Sequence, residues 1–156
     1  MSRGEAILLH LSNAAVVATG LLLAVMAYLM EPAEEWSVVN HPWQPHVQHL
    51  HVLVAPWLVF AVGVIWVSHL VSRLGKGGRG RTTGLALVVG FVPMVVSGYA
   101  IQVAVGEGGR TVSVSVHLIA SAIWVGAFVL HLVRRLIERR EIAADAAPGV
   151  DVDLAA

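Results

Sequence analysis

The sequence predicts an all-α integral membrane protein, an antiparallel four-helix bundle with both termini in the cytoplasm, and three observations carry that reading. The 156 residues are 57% hydrophobic and only 13% charged, which sets the chain in the membrane class rather than the soluble one. Four apolar segments, at about residues 6–30, 47–74, 84–105 and 112–136, are each long enough to cross a hydrocarbon core about 30 Å thick. Of the 10 Lys and Arg, only Arg110 falls on the side opposite both termini and the second loop. Cytoplasmic loops carry the excess of such residues, and short loops make neighbouring spans antiparallel.

The first segment is closed by Glu31-Pro32. It is too long for a signal-peptide core and lacks an A-x-A-like cleavage site, so a retained anchor is expected. His10 lies a turn or two inside it, beside Ser12 and Asn13, and Thr19-Gly20 follows near mid-span. A glycine there lets a neighbouring helix or a flat macrocycle approach the backbone. The loop at 31–45 holds three Glu, two Trp and three Pro but no Lys or Arg. It is expected to face outward, with Trp36 and Trp43 as interfacial anchors and His41 and His46 in water.

The second segment opens with His49-Leu50-His51. Two residues on a helix are about 200° apart, so only one of these histidines can face inward, and the deeper His51 is favoured. Pro56 removes a backbone hydrogen bond and is expected to kink the helix. His69 falls about 27 Å beyond His51 on the same face if the helix stays α. The loop at 72–83, with Arg73, Lys76, Arg79 and Arg81, reads as cytoplasmic. The third segment has no histidine, and Pro93 and Gly98 point to a bend and a close contact, so its expected role is structural. A turn at 106–110 leads to the fourth segment, which ends in Arg134, Arg135, Arg139 and Arg140. The domain is expected to fill 1–142, and the small, acidic tail at 143–156 has too little to bury to be well ordered.

The chemistry sits in that fourth segment, where His117 and His131 interrupt an apolar run. Their spacing puts both on one helix face about 21 Å apart along the axis, a separation that suits axial ligation of two stacked haems. Ionisable groups inside a span are rare and call for a functional partner. A low-spin b haem takes two imidazoles from facing helices. The expected orientation places His49, His51 and His117 near the outer face and His10, His69 and His131 near the inner one. There is no Cys, which excludes c-type attachment, thiolate-bound iron–sulfur clusters and disulfides. No nucleophile–base motif or phosphate loop is present, so an electron-transfer subunit is expected rather than an enzyme by itself.

His10 with Thr19-Gly20 after it, His51 opening the second helix, and the pair His117 and His131 together resemble the four-helix cytochrome b subunits of membrane-bound formate dehydrogenases and nickel–iron hydrogenases. Related small di-haem membrane cytochromes share the pattern. The resemblance covers roughly residues 5–140 through short motifs. It implies two haem b groups, with His51 and His117 on the outer iron and His10 and His131 on the inner one. His69 is a rival inner ligand, His49 a rival outer one, and Leu11 stands where the family often has tryptophan. Helical rise favours His10 for the inner iron, whereas distance to the first cytoplasmic charge favours His69.

The function so implied is electron transfer across a membrane, expected to be a bacterial inner membrane. The expected partners are a redox protein or subunit on either side, with quinone as a further possibility, lipid around the spans and no nucleic acid. The alternative class is a histidine-based metal-ion transporter or metal-binding membrane protein, with His41, His46, His49 and His51 as an outer capture site.

Overall fold

The computed structural model describes residues 2–32, 34–72 and 81–145. Over these residues the protein is all-helical, with four helices long and apolar enough to cross a membrane. They are α1 (Arg3–Tyr28), α2 (Gln44–Ile65), α3 (Arg81–Val103) and α4 (Glu107–Asp145). The chain divides into two compact units, Met1–Gly77 and Gly78–Ala156, each containing one pair of packed helices. The expected tail lies almost wholly outside the described residues, as do Arg73, Lys76 and Arg79 of the basic loop.

In the first unit, α1 starts in a capping box. Ser2 Oγ accepts the Glu5 N–H while the Glu5 carboxylate accepts the Ser2 N–H, satisfying two of the donors that every helix start leaves open. The 26 residues of α1 rise about 39 Å. Within the turn that follows, Asn40 Nδ2 donates to Ala27 O at 3.0 Å and the Asn40 N–H reaches Gln44 Oε1 at 3.1 Å. Asn40 thereby ties the end of α1 to the start of α2, through its side chain at one bond and its backbone N–H at the other. Pro45 occupies the first turn of α2, where its missing N–H costs nothing.

Along α2 the buried side chains Leu58, Ala61, Val62 and Ile65 recur at three- and four-residue steps, the single stripe that a 3.6-residue period requires. His51 lies one heptad before Leu58 on that stripe, whereas His49 is off it and exposed. Pro56 is accommodated within the helix. At Trp66 the chain changes to a π-helical turn, Trp66–Val71, which contains His69. Bonding from i to i+5 widens the turn and shortens the advance per residue. The α-helical extrapolation that set His69 about 27 Å beyond His51 on one face therefore fails over its last residues.

In the second unit, α3 and α4 pack as an antiparallel pair. Gly90 is buried against α4, where an added Cβ would meet Ile123 Cγ2 at 3.7 Å and the Ala120 carbonyl at 3.9 Å. Phe91 and Trp124 stack with ring centroids 5.3 Å apart and a 42° tilt, a contact worth about 1 kcal/mol beyond its burial. The connection is shorter than the sequence suggests, because Glu107, Gly108, Gly109 and Arg110 already belong to α4. Its 39 residues rise about 58 Å, nearly twice a hydrocarbon core, so the arginine run continues as helix beyond the apolar part.

The helices present apolar surface outward: Leu11 is 66% exposed, Val67 73% and Ile119 62%. Water would penalise faces of this extent, and lipid does not. Hydroxyls within the helices are bonded back to carbonyls one turn earlier, as for Ser12 on Leu8 O at 2.7 Å and Thr19 on Ala15 O at 2.8 Å. Among the described residues no buried side-chain nitrogen or oxygen lacks a partner, as a lipid surrounding demands.

Candidate functional site

Three of the singled-out histidines are seated in the same way, each with its ring Nδ1 against a hydroxyl of the helix it packs on. In the first unit His51 Nδ1 lies 2.9 Å from Thr19 Oγ1. The Thr19 hydroxyl also reaches Ala15 O at 2.8 Å and Val16 O at 3.1 Å, and a hydroxyl that donates to one of these can accept from the ring. The ring fits because residue 20 is glycine: a Cβ there would stand 3.0 Å from His51 Cε1 and 3.5 Å from Nδ1. A methyl group there would require the ring to give way by a few tenths of an ångström.

In the second unit His117 sits on α3 by the same device. Its Nδ1 is 2.9 Å from the Met94 carbonyl oxygen and 3.4 Å from Ser97 Oγ. A carbonyl only accepts, so in this contact Nδ1 is the donor. Ser97 directs its own proton to Pro93 O, leaving its oxygen to accept as well. Gly98 makes the approach possible, because a Cβ on it would lie 3.0 Å from His117 Cε1 and 3.2 Å from Nδ1. His131, two heptads further along α4, lies with Nδ1 3.1 Å from Oγ1 of the buried Thr83.

The two remaining candidates are placed differently. His10 is exposed on α1, two and three residues before the buried Ser12 and Asn13. His69 is half-buried in the π-helical turn, and its backbone carbonyl accepts from Ser72 Oγ at 3.2 Å. Between α1 and α2, His41 Nδ1 accepts the Trp43 N–H at 3.1 Å, and His46 at the start of α2 meets the Trp43 ring edge-on at 5.7 Å. The stretch His41, His46, His49 and His51 is not one cluster: among the described residues no three His, Cys, Asp or Glu side chains form a metal-holding group. Arg134 is exposed, and Arg73 is outside the described residues.

Sequence reasoning passed over Thr83 and Ser97. The signal was present as a hydroxyl residue followed by glycine at 19–20, 83–84 and 97–98, with the latter two spaced like His117 and His131. Compared with known proteins, the chain matches no family model, no curated protein and no solved structure. Its functional reading therefore stands on its own residues.

Proposed function

We propose that the protein is a membrane electron carrier holding two b-type haems, with both termini cytoplasmic and its four helices inserted in the bilayer. The observation that carries this is the seat of His117, whose Nδ1 lies 2.9 Å from the Met94 carbonyl oxygen. A ring whose Nδ1–H is tied to a backbone carbonyl presents Nε2 as a basic donor, which is how metal-ligating histidines are characteristically oriented. His51, with Nδ1 on Thr19, has the same donor chemistry, and His131 has the same hydroxyl partner.

The donor set fits haem b, since neutral imidazoles set in apolar helices are its ordinary axial ligands. His51 and His117 are the ligands for the outer iron and His131 with His10 for the inner one, His69 being the competitor. When bound, each haem would supply a reversible one-electron couple. The protein's own part is to hold imidazoles in a fixed tautomer, to separate the two α4 ligands by about 21 Å along a continuous helix, and to surround them with low-dielectric side chains. The electron is exchanged with quinone or a redox protein, on either side of the membrane.

The test is the visible spectrum of the purified protein. Split α and Soret bands on dithionite reduction, with about two haems per chain by pyridine haemochrome, are expected. A colourless preparation from haem-replete cells overturns the reading.

A further inference from the structure

The third helix, which has no histidine and no evident chemistry, faces α4 with residues in matching register. Thr83, Gly90 and Ser97 are spaced by sevens on α3, and His131, Trp124 and His117 are spaced by sevens on α4, running the other way. The outermost members of the two rows meet, Thr83 on His131 at 3.1 Å and Ser97 on His117 at 3.4 Å. The middle is a close approach of backbones at Gly90, beside the Phe91–Trp124 ring pair.

We propose that α3 is a histidine-positioning helix: Thr83 at one end, and Ser97 with Gly98 and the Met94 carbonyl at the other, hold both α4 imidazoles as the Nδ1–H tautomer, so that Nε2 of each is the nitrogen offered to a metal. This deepens the haem reading and rests on it for the identity of the metal, but the tautomer is a property of the chain alone.

The two ends are built from different parts for one outcome. At His117 the acceptor is a main-chain carbonyl that no substitution removes, and Gly98 opens the backbone to it. At His131 the hydroxyl of Thr83 takes that place, and Thr83 is buried, 6% exposed. An imidazole whose Nδ1–H is bonded has more imidazolate character and is a stronger donor to a ferric than to a ferrous ion. Losing the bond therefore raises the reduction potential and weakens retention, by tenfold or more where such supporting bonds to metal ligands are removed.

The experiment uses the full chain in detergent with ¹⁵N-labelled histidine, prepared from haem-depleted cells, together with its haem-replete counterpart. Ring ¹⁵N shifts are expected to report Nδ1–H for His117 and His131 in the haem-depleted protein. Thr83→Val should move the His131 signals and leave those of His117 in place, Thr83→Ser should restore them, and Gly98→Ala should displace His117 alone. In the haem-replete protein Thr83→Val should raise the midpoint of the one component that His131→Ala removes, with Thr83→Ser returning it. Nε2–H tautomers in the unsubstituted chain, or a Thr83→Val variant that alters neither shifts nor midpoint, would overturn the proposal. Absence of haem from the replete protein sinks the haem reading, while the ¹⁵N shifts still decide the role of α3.

Discussion

At the scale of single residues, glycines and hydroxyls govern where the histidine rings stand, and this gives contrasts within one residue type. Gly20→Ala and Gly98→Ala each press a methyl group to about 3.0 Å from an imidazole carbon, and overpacking of this sort costs about 1–3 kcal/mol. Both should lower the midpoint of unfolding in a detergent titration and disturb one outer haem component. Gly84→Ala follows a hydroxyl residue just as they do, yet nothing lies within 4 Å of its added Cβ. It should be neutral or stabilising by up to about 1 kcal/mol, because alanine is the better helix former. Equal damage from all three would mean that helix geometry, and not the ring seat, makes these positions sensitive. By the same logic His51→Ala should remove the component that His117→Ala removes, and the exposed His49→Ala should leave the spectrum intact.

At the scale of elements, the end of α2 and the turn after α1 each give a test. His69 stands in a π-helical turn, a feature that often marks functional sites, while His10 stands on regular α-helix. If His10 is the inner ligand, His10→Ala and His131→Ala abolish the same spectral component, and His69→Ala only shifts its potential. Reduced-minus-oxidised spectra of the three variants at equal expression decide it, and a match between His69→Ala and His131→Ala reverses the assignment. The α1–α2 connection offers a test without haem. Asn40→Ala removes the side-chain bond to Ala27 O and keeps the backbone N–H that Gln44 Oε1 accepts; it should lower stability by about 1 kcal/mol, read as an earlier unfolding midpoint with an unchanged spectrum.

At the scale of the whole molecule, the proposed topology follows from charge. With no native Cys, single cysteines report orientation directly. Glu35→Cys, in the exposed loop after α1, should react with a membrane-impermeant maleimide on intact cells, and Glu141→Cys, exposed near the end of α4, only after lysis. The opposite pattern would invert the orientation and exchange the inner and outer sites. The length of α4 bears on this, since about 58 Å of helix cannot lie wholly in a core of about 30 Å. The part beyond carries Arg134, Arg135, Arg139 and Arg140, which favour the cytoplasmic side.

By itself the sequence determined that the chain is all-helical and that, among the described residues, four helices have the length and apolarity to span a membrane. These follow from composition and run length, which are local and additive along the chain. Helical phase, also local, was enough to separate His51 from His49. Only the tertiary structure decided what the rings rest on. Thr19 meets His51 across 32 positions and Thr83 meets His131 across 48, and such pairings depend on the register of two packed helices, which no local period encodes. The π-helical turn at His69 and the early start of α4 at Glu107 were hidden for a related reason. Each is a choice between backbone hydrogen-bond patterns that differ little in energy for the same residues, so it is settled by how the surrounding chain packs.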